Sequence, residues 1–176
     1  MPTSEDVTIC DVFAGDEYFG DHDYKSMAFL SDEIEAENIE VLRVHLEEPD
    51  PAIDIRNFKG QPPHQWRCAM VATWFQGRNL AWVSERGYPG GRADIVCEAE
   101  KTAVECGYTK SDKVIRALSR GWSVMVVPYL GQPVIGYWFR VAPGRKVVDP
   151  LEEECRKIME NYHIPGLSLD PEKRKR

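Results

Sequence analysis

Apolar positions in this chain fall into short blocks whose spacing changes from segment to segment. Between Ile39 and Leu46 apolar and polar residues alternate, the period of a half-buried strand. From His64 to Gln76 the period lengthens. Trp66, Ala69, Met70, Thr73 and Trp74 recur every three or four residues and predict a helix that Pro62 and Pro63 introduce and Gly77 ends. Leu80 to Arg86 reads as a strand, and Gly87 to Gly91 as a flexible loop. Arg92 to Glu98 and Lys101 to Gly107 then form two strands joined at Ala99-Glu100. Ser111 is placed to cap a helix carrying Val114, Ile115, Ala117 and Leu118 inward and ending at Gly121. Ser123 to Val127 is nearly continuous in apolar residues, as a buried and parallel strand requires. Pro133 to Val141 adds another strand. Asp149 to Tyr162 is an amphipathic helix with Leu151, Cys155, Ile158, Met159 and Tyr162 on one face. Upstream, Ser31-Asp-Glu-Ile-Glu has the signature of a helix start, and residues 1 to 25 show no clear period.

From residue 62 onward the order is therefore helix, strand, strand, strand, helix, strand, which predicts an α/β fold around a mixed sheet. Proline-rich breaks at 47–51 and 60–63 suggest three parts: an accessory region over 1–60, a core over 61–165 and a basic tail over 166–176. Charge follows the same division. Residues 1–60 hold 16 acids against 4 bases, a balance of −12, and residues 61–176 hold 13 against 18, a balance of +5, giving the net −7. A mildly basic core permits a polyanionic ligand, while the acidic first segment solvates its surface or offers a face to a protein partner. The five scattered cysteines form no C-x-x-C pair and are expected to be free thiols. No apolar run nears the ~20 residues of a membrane span and the N-terminus lacks a signal-peptide pattern, so a cytoplasmic protein without membrane contact is expected.

The two strands joined at Ala99-Glu100 carry the candidate chemistry. If Glu98 faces Lys101, a constant register puts Asp94 across from Glu105. Opposed residues sit ~5 Å apart, and like charges so placed destabilise a sheet. A divalent cation is a common reason to tolerate two carboxylates together.

Those residues, Gly91-Arg-Ala-Asp94-Ile-Val and Ala103-Val-Glu105-Cys-Gly107, with the helix and strand from Asp112 to Tyr129, resemble the PD-(D/E)xK nuclease superfamily. The resemblance covers roughly residues 62 to 130 and implies the restriction-endonuclease-like αβββαβ core, a central mixed sheet flanked by helices, here extended by the acidic N-terminal accessory region. It also implies a metal-dependent phosphodiester hydrolase acting on DNA. Asp94 and Glu105 would hold Mg2+ or Mn2+ with the backbone carbonyl of Cys106. The motif lysine is absent, because its position is Gly107. Lys113 in the next helix, Arg92 on the strand opposite, or Lys110 would replace it. The acid common on the family's first helix is also missing, leaving His64 or Gln65 in its place. Lys110 and Arg116 are candidate phosphate contacts and Tyr108 a candidate base or sugar contact. The alternative is a catalytically decayed domain of the same fold that binds nucleic acid or protein; a homodimer fits either case.

Overall fold

The computed structural model describes residues 12–13, 21–129 and 131–162. Its elements run α1 (Asp21–Glu35), β1 (Ile39–His45), a 3-10 turn (Ile55–Asn57), α2 (Pro62–Gly77), β2 (Val83–Tyr88), β3 (Gly91–Cys97), β4 (Thr102–Cys106), α3 (Ser111–Ser119), β5 (Ser123–Val127), β6 (Ile135–Val141) and α4 (Pro150–Tyr162). The six strands form one mixed sheet in the order β1-β6-β5-β4-β3-β2. Only β4 and β5 are parallel, and α3 is the crossover that a parallel pair needs.

Helices cover both faces of the sheet. On one side Leu30 from α1 and Val114 and Leu118 from α3 meet Val124, Val126 and Phe139. On the other, Val71 and Phe75 from α2 meet Ile95, Val104, Met125 and Val127. Strand β5 thus sends alternate residues into both clusters, which explains its apolar run from Val124 to Val127. Full burial of each such side chain contributes roughly 1.5–3 kcal/mol, so these layers hold the strand ends that carry the candidate site.

The described residues 21–60 belong to the same sheet and core rather than lying apart. Strand β1 pairs along its whole length with β6, from Ile39↔Val141 to His45↔Ile135, and Met27 and Leu30 enter the first cluster. Residues 1–11, 14–20 and the basic tail lie outside the described residues. Among the described residues no helix is long and apolar enough to cross a membrane.

Several boundaries differ from the sequence expectation. Ser31 lies inside α1 rather than at its start: Met27, Leu30 and Ile34 supply an inward face too sparse to stand out among the acids. Strand β2 begins at Val83 and continues through Gly87 and Tyr88, so the predicted loop contracts to a tight connection at Pro89-Gly90. Ser111 is the first residue of α3, and Lys110 occupies the cap position without a side-chain cap bond. In α2, Cys68, Ala69, Met70, Val71, Ala72 and Phe75 are buried, whereas Trp66 is 45% exposed. This helix is buried around most of its circumference, so a single stripe was the wrong pattern. Helix α4 has no buried residue, and its predicted inward residues Leu151, Ile158 and Tyr162 are exposed.

Candidate functional site

The register of β3 and β4 is the one the two-strand arithmetic requires: Cys97↔Thr102, Val96↔Ala103 and Ile95↔Val104. The connection is closed by Lys101 N–H donating to the Glu98 carbonyl at 3.2 Å. One step beyond the last of these pairs come Asp94 and Glu105. There the ladder stops and a side chain takes over, with the Cys106 backbone N–H donating to Asp94 Oδ2 at 2.7 Å. The opposite edge of β3 is interrupted at the same level. Ser84 pairs with Ile95 and Arg86 with Ala93, while Glu85 between them has φ +54°. That left-handed conformation is uncommon for a residue with a side chain and is typical of strand irregularities beside functional sites. Asp94 therefore sits where the sheet opens on both sides.

Its carboxyl group is held by opposing influences. Burial pushes its pKa up, the Cys106 N–H and nearby His64 pull it down, and Glu85 adds a further upward push. Glu105, at the end of β4, is buried. Its pKa is also raised, chiefly by burial, against the pull of Lys113 and with Asp94 adding repulsion. The Lys113 ammonium donates to Glu105 Oε1 at 2.6 Å and to the Arg92 carbonyl at 3.2 Å. The Tyr88 hydroxyl donates to the same Glu105 oxygen at 3.1 Å. Burial and the neighbouring Glu105 hold that phenol far above its ordinary pKa, so it remains a donor.

A second group of side chains surrounds Cys106. The Tyr129 hydroxyl donates to the Cys106 carbonyl at 3.3 Å and meets His64 Nδ1 at 2.7 Å. His64 Nε2 lies 3.3 Å from Asp94 Oδ1 and 3.5 Å from Cys68 Sγ. His64 thus links the first turn of α2 to the carboxylate on β3. Gly107 has φ +104°, and a Cβ there would lie 2.6 Å from the Tyr129 ring. At position 107 both the backbone conformation and the neighbouring ring disfavour a side chain.

Among the three candidate cations, Lys113 meets Glu105. Arg92 turns its guanidinium to Glu85, at 2.9 Å, and is largely exposed. Lys110 is exposed at the start of α3. Arg116 donates to the Gly90 carbonyl and pairs with Asp112, which occupies it in holding α3 to the β2–β3 connection. Tyr108 is 64% exposed and packs edge-on to Tyr129, with centroids 5.9 Å apart. Glu85, Tyr88 and Tyr129 were missed by the sequence reading, and His64 was only a weak substitute for the absent helix acid. The histidine at a helix start after two prolines was a usable signal; the other three become neighbours only through the sheet. Among the described residues no three His, Cys, Asp or Glu side chains are grouped to hold a metal ion. The carboxylates that meet here are Asp94, Glu105 and, through its repulsion of Asp94, Glu85, with the Cys106 carbonyl beside them. No family model, curated protein or solved structure matches this chain.

Proposed function

We propose that the protein is a divalent-metal-dependent phosphodiester hydrolase acting on DNA, built on the restriction-endonuclease-like arrangement its sequence resembles. Support comes from the antiparallel β2-β3-β4 series followed by α3 and a parallel β5, with helices on both sheet faces. The observation that carries the reading is Lys113 Nζ, 2.6 Å from Glu105 Oε1, because it restores a cation beside the acids where Gly107 leaves none.

Asp94, Glu105 and the Cys106 carbonyl would hold Mg2+ or Mn2+. A small hard cation suits this set, since it takes few carboxylates and keeps several waters. Burial raises both carboxyl pKa values, and a cation relieves that penalty. When bound, the ion supplies charge neutralisation at the phosphate and lowers the pKa of a water. Lys113 presents its ammonium to the developing negative charge, oriented by Glu105 and the Arg92 carbonyl. Tyr88 holds Glu105 in place from the other side.

Lys113→Met is the direct test. With plasmid or single-stranded DNA and Mg2+ or Mn2+, it is expected to lower the cleavage rate ~10²–10³-fold, and Glu105→Gln to abolish cleavage. Arg92→Ala is expected to leave the rate within a few-fold, because its guanidinium serves Glu85.

One observation favours a second reading. Lys113 on Glu105 and His64 on Asp94 give each acid an internal partner, as a binding module without catalysis would need. DNA affinity falling steeply with salt, combined with equal background cleavage by wild type and Lys113→Met, would establish that reading instead.

A further inference from the structure

We infer that the cavity beside Tyr129 receives an unpaired nucleobase, so that the strand hydrolysed is single-stranded DNA. This rests on the nuclease reading and adds its substrate class.

The cavity, of about 520 Å³, is lined by Lys59, Gly60, Gln61, Pro63, His64 and Tyr129. Its size falls within the ~300–1,000 Å³ of small-ligand pockets. It adjoins the carboxylates through His64, which touches both Tyr129 and Asp94. A base lodged there has its own phosphate within reach of the proposed hydrolytic site.

Tyr129 is fixed in three ways. Its ring seats against Gly107, and its hydroxyl engages His64 and the Cys106 carbonyl. Despite these anchors it remains 38% exposed. Such a fixed aromatic wall needs no ordering when a base packs against its exposed part. Tyr108 extends it edge-on and is exposed without serving either core cluster.

Two cations border the pocket. The Arg67 guanidinium lies over the Tyr129 ring, 4.9 Å from its centre, and its Nε is buried with no hydrogen-bond partner among the described residues. Lys59 is at the cavity rim. Aromatic rings interleaved with Lys and Arg match alternating bases and phosphates of one strand. In a duplex the base faces are already stacked, so a concave aromatic platform has nothing to receive.

The test is fluorescence anisotropy in EDTA, with a labelled 20-mer single strand and the same sequence as a duplex. Wild type is expected to bind the single strand at least ~10-fold more tightly. Tyr108→Ala is expected to weaken single-strand binding ~5- to 100-fold and to leave duplex binding unchanged. Tyr129→Leu should do the same; should it fail to fold, the exposed Tyr108 still decides the matter. Equal affinity for both forms, or no effect of Tyr108→Ala, overturns the inference. Cleavage with Mg2+ is measured separately. Duplex-preferring cleavage refutes the base pocket and keeps the nuclease, whereas single-strand binding without cleavage refutes the nuclease and keeps the pocket.

Discussion

Asparagine in place of Asp94 is expected to abolish metal-dependent cleavage and, at the same time, to stabilise the metal-free protein. The carboxamide keeps the shape and still accepts the Cys106 N–H that Asp94 Oδ2 receives at 2.7 Å. What it removes is a charge that burial disfavours. Because the folded state raises the Asp94 pKa, it binds the proton more tightly than the unfolded chain does. The resulting stability is fully present below the unfolded value near 4 and is lost as pH rises through the raised folded value. Glu105 is shifted in the same direction and contributes a similar decline. The wild type should therefore lose stability from pH 4 upward over this window, and Asp94→Asn should lose less. At pH 8 the variant is expected to gain about 1 kcal/mol, or ~3 °C in thermal midpoint for a chain of this size. Magnesium at ~100 times its Kd should stabilise wild type by about 2.7 kcal/mol and leave the variant almost unmoved. Scanning calorimetry at pH 5 and 8, with and without Mg2+, reads all of these. A variant that is destabilised at pH 8, or that still responds fully to Mg2+, would remove Asp94 from the site.

The acids were legible in the sequence because strand pairing is arithmetic. Once Ala99-Glu100 is the turn, every partner in β3 and β4 follows, and the observed pairs obey the same register. Strand β5 was equally plain, since burial on both faces leaves no polar position after Ser123. The rest of the site was hidden for a physical reason. Glu85 and Tyr88 come from β2 and Tyr129 from just beyond β5, and they converge only when those strands flank β3 and β4. Nothing local marks Glu85 as the residue whose left-handed backbone interrupts the β2–β3 ladder. Helix α1 escaped because its inward residues are diluted by charge, and Ser31 within it imitated a cap. The mixed α/β sheet followed from the order of elements; the contribution of β1 to its edge did not, because long-range antiparallel pairing leaves no signature in either strand alone.

Placing at position 107 the lysine that the nuclease resemblance would put there is expected to damage the protein rather than improve it. Lysine at position 107 would have to adopt φ near +104°, a conformation that L side chains rarely take, with its Cβ 2.6–2.7 Å from the Tyr129 ring. Backbone strain of that kind costs about 1–3 kcal/mol, and overpacking a further ~1–3 kcal/mol. At 2–4 °C per kcal/mol, Gly107→Lys should melt roughly 5–20 °C lower. The displaced ring would also release the Cys106 carbonyl and His64, which its hydroxyl engages. Cleavage should fall although a lysine now stands where the resemblance would place one, and adding Gly107→Lys to Lys113→Met should rescue nothing. Gly107→Ala separates the causes: alone it carries both the strain and the clash, and combined with Tyr129→Ala it carries only the strain. If Gly107→Lys kept the wild-type midpoint and restored cleavage to Lys113→Met, position 107 would be open to a side chain and Lys113 would not be the residue that replaced the missing cation. The expected result is the reverse: Tyr129 excludes a side chain at 107, and the cation reaches Glu105 from α3 because the strand has no room for it.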